Sequence, residues 1–100
     1  MIIELKKEEN LEEVLNEELT LVDYYADWCG PCKMLAVELE ALTNVEVIKV
    51  NTDEHQELAM KKGIMSIPYV EIYKNNEVVN KFTGFKPSDE IEDILKEINN

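Results

Sequence analysis

The chain has 100 residues, of which 45% are hydrophobic and 32% are charged, a composition typical of one folded domain and not of a disordered chain. Asp and Glu together number 22 against 10 Lys and no Arg, which gives a net charge of −12. So negative a surface repels phosphate backbones and anionic lipids, and we therefore expect neither nucleic-acid binding nor membrane binding.

The apolar runs are too short to predict a membrane-spanning helix. Residues 1–8 lack the basic start and apolar stretch of a secretion signal. We therefore expect a cytoplasmic protein that forms one domain over residues 1–100.

The first half of the chain is predicted to form a parallel β–α–β unit. Leucines and a valine at helical spacing predict an amphipathic helix over residues 7–17. Nearly continuous apolar runs at 19–26 and 45–50 predict two strands buried on both faces. Between them, Pro31 and the leucines that follow it predict a helix. Two strands joined by a helix pair in parallel through a right-handed crossover.

The second half is predicted to add a helix, a hairpin and a final helix. Asp53 with Gln56 three residues later has the pattern of a capping box, and Gly63 suits the end of the helix that follows. Runs at 69–74 and 77–83 flank two asparagines that tolerate positive φ, which predicts an antiparallel hairpin. A helix capped near Ser88 closes the chain. We expect an α/β fold with a central mixed sheet of four to five strands and helices on both faces.

The segment Trp28-Cys29-Gly30-Pro31-Cys32 falls where a predicted buried strand passes into a helix. Free amide N–H groups and the helix dipole stabilise a thiolate at the first cysteine, Cys29. Cys32 lies one turn further into the helix, where we expect it to be shielded. An attacking thiol and a resolving thiol are what thiol–disulfide exchange requires.

Metal binding is the alternative use of two cysteines at this spacing. Tetrahedral zinc takes four ligands, and His55 is the one further soft ligand that the sequence offers. The polar surroundings of His55 are more typical of a surface histidine. A cluster shared between two chains is the remaining metal hypothesis, and we predict no metal site.

Two charged residues interrupt otherwise apolar strands: Asp23 in the run at 19–26 and Lys49 in the run at 45–50. Buried carboxylates are costly, so their presence needs an explanation. One explanation is a buried ion pair with a structural role alone. The other is a carboxyl group of raised pKa beneath the dithiol, which exchanges a proton with Cys32 directly or through water.

Residues 21–34, with the sequence LVDYYADWCGPCKM, resemble the active-site region of the thioredoxin family. The resemblance continues through residues 47–53, through residues 63–68 and through Thr83-Gly84. It covers nearly the whole chain, in order and at the family's spacing. A bare Cys-X-X-Cys is weak evidence, but the longer motif followed by Ile67-Pro68 is specific.

The resemblance implies a thioredoxin fold and the activity of a protein-disulfide reductase. It implies that Cys29 is the nucleophile, that Cys32 is the resolving thiol and that Pro68 is a cis-proline facing them. The family match also favours the catalytic interpretation of Asp23 and Lys49. The residues expected to bind the substrate are Trp28, Gly30, Pro31, Ile67, Pro68, Tyr69 and Gly84.

The resemblance further implies that the protein holds no cofactor and no metal. Electrons would come from NADPH through a flavoprotein, thioredoxin reductase, to the Cys29–Cys32 pair. The expected partners are therefore this reductase and proteins with disulfide bonds, and we expect a monomer. Tyr69 stands where thioredoxins usually carry a small Thr, which is a departure from the family pattern.

Two other classes of function fit parts of the sequence. A glutaredoxin-like enzyme would use glutathione, but such proteins usually carry Gly-Gly before the last helix and Pro-Tyr between the cysteines. Here Gly84 stands alone and the linker is Gly30-Pro31. A non-enzymatic thioredoxin-fold module for binding or chaperoning is the third class, and the presence of both cysteines together with Asp23 argues against it.

Overall fold

A computed structural model of the chain describes residues 1–99 and shows a five-stranded mixed sheet with helices on both faces. The sheet order is β1-β3-β2-β4-β5, in which β1, β3 and β2 are parallel and β4 and β5 are antiparallel to their neighbours. The predicted fold class is confirmed. The elements are β1 (Ile2–Glu4), α1 (Leu11–Val14), β2 (Thr20–Tyr25), α2 (Gly30–Glu40), β3 (Glu46–Asn51), α3 (Gln56–Lys61), β4 (Tyr69–Lys74), β5 (Glu77–Thr83) and α4 (Ser88–Asn99).

The sheet separates two apolar clusters because successive residues of a strand point to opposite faces. Leu21 and Val47 pack beneath α2 and α4, whereas Val22 and Ile48 pack beneath α1 and α3. The near-continuous apolar runs of β2 and β3 are therefore explained by burial on both sides. Within residues 1–99, no helix is long and apolar enough to cross a membrane.

The first helix is much shorter than the predicted span of residues 7–17. It covers Leu11–Val14, with Asn10 and Glu13 forming a reciprocal capping box. Leu15 has extended backbone angles, and the Asn16 side chain accepts a hydrogen bond from the Glu18 amide at 2.8 Å. This local turn competes with helix continuation, and the carboxylates that follow would oppose the negative end of the helix dipole. The prediction of a helix of three turns is therefore wrong.

The predicted capping box at Asp53 is also wrong. Helix α3 begins at Gln56 with His55 as its N-cap, and the cap has no side-chain hydrogen bond. The Asp53 amide donates instead to the Asn51 side chain at 2.9 Å, which forms a turn before the helix. This turn runs from the last residue of β3 to Asp53, and it frees the Asp53 carboxylate for another contact.

The hairpin prediction is confirmed, and the turn residues adopt the expected backbone. Asn75 and Asn76 have φ of 54° and 65°, between β4 and β5. Strand β1 is the fifth strand of the sheet, and it pairs in parallel with the outer side of β3. All three β1 residues are exposed, and this strand completes the upper limit of the expected four to five strands.

Candidate active site

The two cysteines lie at the junction of β2 and α2, as predicted. Cys29 is the N-cap of α2 and Cys32 is in its first turn; the two residues are joined by a disulfide, with their Cα atoms 5.2 Å apart. The Cys32 amide donates to the Cys29 sulfur at 3.3 Å. An amide at a helix start that points at sulfur stabilises negative charge there, so this geometry favours a thiolate at Cys29 after reduction.

Both cysteine residues are largely buried, so the predicted shielding of Cys32 does not by itself distinguish it from Cys29. The exposed fraction is 6% for Cys29 and 3% for Cys32. They pack with Ala26 and with the partly buried Ile67 and Tyr25. The difference between the two sulfurs therefore comes from the helix start more than from solvent access.

The peptide bond between Ile67 and Pro68 is cis, in agreement with the family resemblance. The Ile67 carbonyl oxygen lies 3.7 Å from the Cys29 sulfur. On the other side, the Pro68 carbonyl accepts a hydrogen bond from the Gly84 amide at 2.7 Å. Gly84 has a φ of 89°, a conformation that favours glycine. This contact ties the end of β5 to the loop that faces the sulfurs.

An open groove of about 380 Å³ leads to Cys29. Both Trp28, which is 71% exposed, and Met65, which is 97% exposed, line it. The Trp28 indole N–H donates to the Asp53 carboxylate at 3.0 Å, which fixes the ring. A fixed aromatic wall and an exposed thioether beside the reacting sulfur suit the docking of an apolar chain segment. The groove lining is Trp28, Cys29, Thr52, Ala59, Ile64, Met65, Ser66 and Ile67.

The predicted substrate-binding residues fall into two groups. The first group lies around the cysteines. It consists of three residues of the cysteine segment (Trp28, Gly30 and Pro31), two of the cis-proline loop (Ile67 and Pro68), and Gly84 after β5. Tyr69 lies apart from them, because its side chain packs toward α3 in contact with Tyr24, at a ring separation of 5.7 Å. Its hydroxyl donates to Glu71 at 3.0 Å.

Glu71 is a buried carboxylate that the sequence analysis did not single out. Its oxygens accept hydrogen bonds from the hydroxyl groups of Tyr24 (3.4 Å), Tyr69 (3.0 Å) and Tyr73 (2.9 Å), and the Lys62 ammonium lies at 3.0 Å. The sequence pattern that could have indicated this cluster is an acidic residue between two tyrosines in an otherwise apolar strand. The hydrogen bond to Glu71 thus fixes the side chain of Tyr69, the residue that follows the cis-proline.

Asp23 is fully buried on β2, and neither of its carboxylate oxygens has a hydrogen-bond partner among residues 1–99. It follows Leu21 by two residues and therefore points to the face covered by α2, the helix that carries the cysteines. Burial raises the pKa of Asp23 to about 7, although the nearby Lys49 charge lowers it and the Glu4 charge raises it. A carboxyl group that titrates near neutral pH can both take and return a proton.

Lys49 is aligned with Asp23 across the parallel β2–β3 pair. Its ammonium group lies over the Tyr25 ring, 4.4 Å from the centroid. It forms no salt bridge with Asp23 within the described part of the chain. The structural alternative of a closed Asp–Lys ion pair is therefore not what the geometry shows.

His55 lies away from the cysteines. Its Nε2 atom is 3.4 Å from the Leu5 carbonyl, and it lines a polar cleft of about 790 Å³ between the start of α3 and the segment before α1. That cleft contains neither cysteine. Across residues 1–99, no three His, Cys, Asp or Glu side chains are grouped closely enough to hold a metal ion.

Sequence reasoning missed five residues of the groove lining: Thr52, Ala59, Ile64, Met65 and Ser66. It also missed the contact of Asp53 with the Trp28 ring. Asp53 was assigned to a helix cap, and only the fold shows that its carboxylate meets the Trp28 ring. Met65 follows Gly63 in a loop, where a lone exposed methionine has no pattern that would indicate a binding surface.

Comparisons with known proteins agree with this geometry. The family model for thioredoxin matches residues 1–97. A thioredoxin from Bacillus subtilis (strain 168) is 41% identical over 85 residues, which covers 80% of this chain and 82% of the relative. A thioredoxin from Streptomyces clavuligerus is 43% identical over 76 residues, which covers 72% of this chain and 71% of the relative.

A solved structure of a point-mutant thioredoxin from Halobacterium salinarum is 30% identical and superposes with a TM-score of 0.86, over 96% of this chain and 88% of that one. The redox centre of such proteins is the cysteine pair itself, and they need no bound cofactor. The chain therefore belongs to the thioredoxin family, and it is a dithiol–disulfide oxidoreductase that works through Cys29 and Cys32.

Proposed function

We propose that the protein reduces disulfide bonds in other proteins and is itself re-reduced by a thioredoxin reductase, a flavoprotein that takes electrons from NADPH. The observation that carries this proposal is the amide of Cys32 donating to the Cys29 sulfur, 3.3 Å away, at the start of α2 beside an open apolar groove. A stabilised thiolate next to a docking surface is the minimum that the first attack requires.

In the proposed reaction the Cys29 thiolate attacks one sulfur of a substrate disulfide. The substrate S–S bond breaks, a mixed disulfide forms, and the leaving substrate thiolate takes up a proton. Asp23 then accepts the proton of the Cys32 thiol, and the Cys32 thiolate attacks the Cys29 sulfur. The bond between Cys29 and the substrate sulfur breaks, and the second substrate thiolate leaves and takes up the proton that Asp23 accepted. Two electrons have then passed to the substrate, and the protein is left with the Cys29–Cys32 disulfide.

The groove beside Cys29 supports binding of an extended substrate segment. We assign this role to Trp28, Gly30, Pro31, Ile67, Pro68 and Gly84, and we assign to Tyr69 the support of the cis-proline loop. We further propose that residues 1–100 act as one domain, as a monomer and in the cytoplasm.

The test is turnover of a protein disulfide with three electron sources: dithiothreitol, NADPH with a thioredoxin reductase, and glutathione. We expect turnover with the first two. A preference for glutathione would favour the glutaredoxin-like alternative, and absence of turnover with all three would favour a binding module.

Single cysteine variants test the order of attack. We expect Cys29→Ser to abolish the reduction of protein disulfides and to form no mixed disulfide, whereas Cys32→Ser should accumulate a mixed disulfide with the substrate. The readout is the covalent complex on a non-reducing gel, confirmed by its mass. Equal trapping by the two variants would contradict the assignment of Cys29 as the nucleophile.

A further inference from the structure

A row of three charged residues crosses the parallel part of the sheet. The register aligns Glu4 on β1 with Lys49 on β3, and Lys49 with Asp23 on β2. Aligned residues of parallel strands project to the same face, which here is the face covered by α2. The row runs from an exposed carboxylate at the sheet edge to the fully buried Asp23.

The ammonium group in the middle of this row contacts an aromatic ring and not the Asp23 carboxylate. Lys49 Nζ lies 4.4 Å from the centre of the Tyr25 ring, a cation–π distance. The Tyr25 hydroxyl in turn donates to Glu4 Oε2 at 2.5 Å, which fixes the ring in place. Asp23 receives no hydrogen bond from Lys49.

In the part of the chain that the structure describes, no element around Asp23 supplies a second cation. The residue aligned with it on β4 is Val70. Helices α2 and α4 cover this face with apolar side chains, apart from the cysteine pair at the start of α2. The charged and titratable groups that bear on Asp23 are therefore Lys49, Glu4 with its partner Tyr25, and the two thiols once the disulfide is reduced.

The pKa of a buried carboxyl group is higher when the nearby cation does not form an ion pair with it. Lys49 lowers the pKa of Asp23 and Glu4 raises it, which is the direction that this arrangement requires. We propose that Glu4 and Tyr25 are positioning residues, which hold the Lys49 ammonium away from Asp23 and so set the pH at which Cys32 is deprotonated for the second attack. This inference rests on the proton-transfer role proposed above for Asp23.

The test combines two variants that act on opposite ends of the hydrogen bond. Glu4→Gln removes the charge and keeps an acceptor oxygen, and Tyr25→Phe keeps the ring and removes the hydroxyl. In each reduced variant we would follow the titration of the Asp23 carboxyl carbon by NMR. We would also measure the pH profile of substrate release from a preformed mixed disulfide on Cys29.

We expect both variants to lower the Asp23 titration midpoint and the pH profile of release together, by about half a pH unit, which is about threefold in the protonation equilibrium. The matched control is Glu46→Gln, which removes the same charge from the neighbouring strand on the other face of the sheet. It should leave the midpoint in place. An unmoved midpoint in either test variant overturns the proposal, and so does an equal shift in the control.

The two readouts separate this proposal from the role of Asp23 itself. If the NMR midpoint moves but the release profile does not, Glu4 and Tyr25 position Lys49 without acting on catalysis, and the claim about Cys32 is overturned. Asp23→Asn completes the set. A release profile unchanged in that variant contradicts the proton-transfer role, whatever the Glu4 and Tyr25 variants show.

Discussion

Asp23 and Glu71 are two buried carboxylates on neighbouring strands, and they have opposite surroundings. Asp23 on β2 is fully buried and has no hydrogen-bond partner among the described residues 1–99. Glu71 on β4 is 5% exposed and is contacted by three tyrosine hydroxyls and a lysine. They point to opposite faces of the sheet. Burial alone therefore does not make a carboxyl group reactive; the absence of donors around it does.

Removing the carboxylate from the well-partnered site should have the largest effect. Glu71→Gln leaves one acceptor oxygen and replaces the other with an NH₂ group among donors, so the Lys62 ammonium loses its counter-charge and the tyrosine hydroxyls lose one of their two acceptor oxygens. We expect a loss of about 3–5 kcal/mol in the free energy of unfolding. Denaturant unfolding measures it, with Glu77→Gln on the exposed strand β5 as the control. A loss below about 1 kcal/mol would mean that Glu71 is not the centre of the cluster.

The same kind of change at the unpartnered site should stabilise the protein. Because the pKa of Asp23 is raised to about 7 from 3.8, the native state binds a proton that the unfolded chain releases, and stability falls as pH rises from about 4 to about 7. Three pH units correspond to about 4 kcal/mol. We expect Asp23→Asn to gain about 2–4 kcal/mol at pH 8.

The pH dependence of this gain is its internal control. At pH 4 the buried carboxyl is neutral in the native protein, so Asp23→Asn should change the free energy of unfolding by less than about 1 kcal/mol. Thermal or denaturant unfolding at both pH values gives the comparison. A gain of equal size at pH 4 and pH 8 would show that packing and not charge explains the effect.

Within the Glu71 cluster, Tyr73 should matter most among the tyrosines. Its hydroxyl donates to Glu71 at 2.9 Å and accepts from Lys62 at 2.9 Å. Tyr73→Phe should cost about 1.5–2.5 kcal/mol, because a hydrogen bond to a charged group is lost on each side. In a double-mutant cycle with Glu71→Gln, most of this cost should disappear. Additive costs would contradict a direct contact between the two side chains.

Tyr24→Phe should have the smallest effect, about 0.5–1 kcal/mol, since its hydroxyl lies 3.4 Å from Glu71 and the remaining hydroxyls still satisfy the carboxylate. Burial, and then the charge of Glu71, raises the pKa of Tyr24, so this hydroxyl remains a donor over the working pH range. Unfolding measurements should rank Tyr24→Phe below Tyr73→Phe. The reverse order would mean that ring packing dominates over hydrogen-bond geometry.

The strands and the active-site helix could be predicted from the sequence because each has a strong local cause. Apolar runs specify β2 and β3, the paired asparagines specify the hairpin, and Pro31 marks the start of α2. The extent of α1 depends instead on a competition between the Asn16 turn and the helix. Helix propensities of ordinary residues differ by less than about 1 kcal/mol per residue. Such small differences are decided by tertiary contacts.

Site residues that local sequence features define could be predicted. Those that depend on contacts between distant segments could not. The cysteine spacing and the isolated Asp23 were visible in the sequence. The contact between Trp28 and Asp53 joins residues on two different strand ends, and the Glu71 cluster needs β2, β4 and the end of α3 together. The residue pattern within one segment does not predict contacts between distant segments.

Strand β1 connects the dithiol chemistry to local unfolding. Glu4 lies on a three-residue edge strand, which is held by the Leu5 amide bonded to the Lys49 carbonyl at 2.8 Å and the Val47 amide bonded to the Met1 carbonyl at 2.9 Å. Leu5, fully buried against the α1 side of the sheet, anchors its end. When this strand detaches, Glu4 leaves the row while the rest of the sheet stays folded. Amide hydrogen exchange at Leu5 and Val47 therefore reports how often β1 detaches and removes the Glu4 charge from the neighbourhood of Asp23.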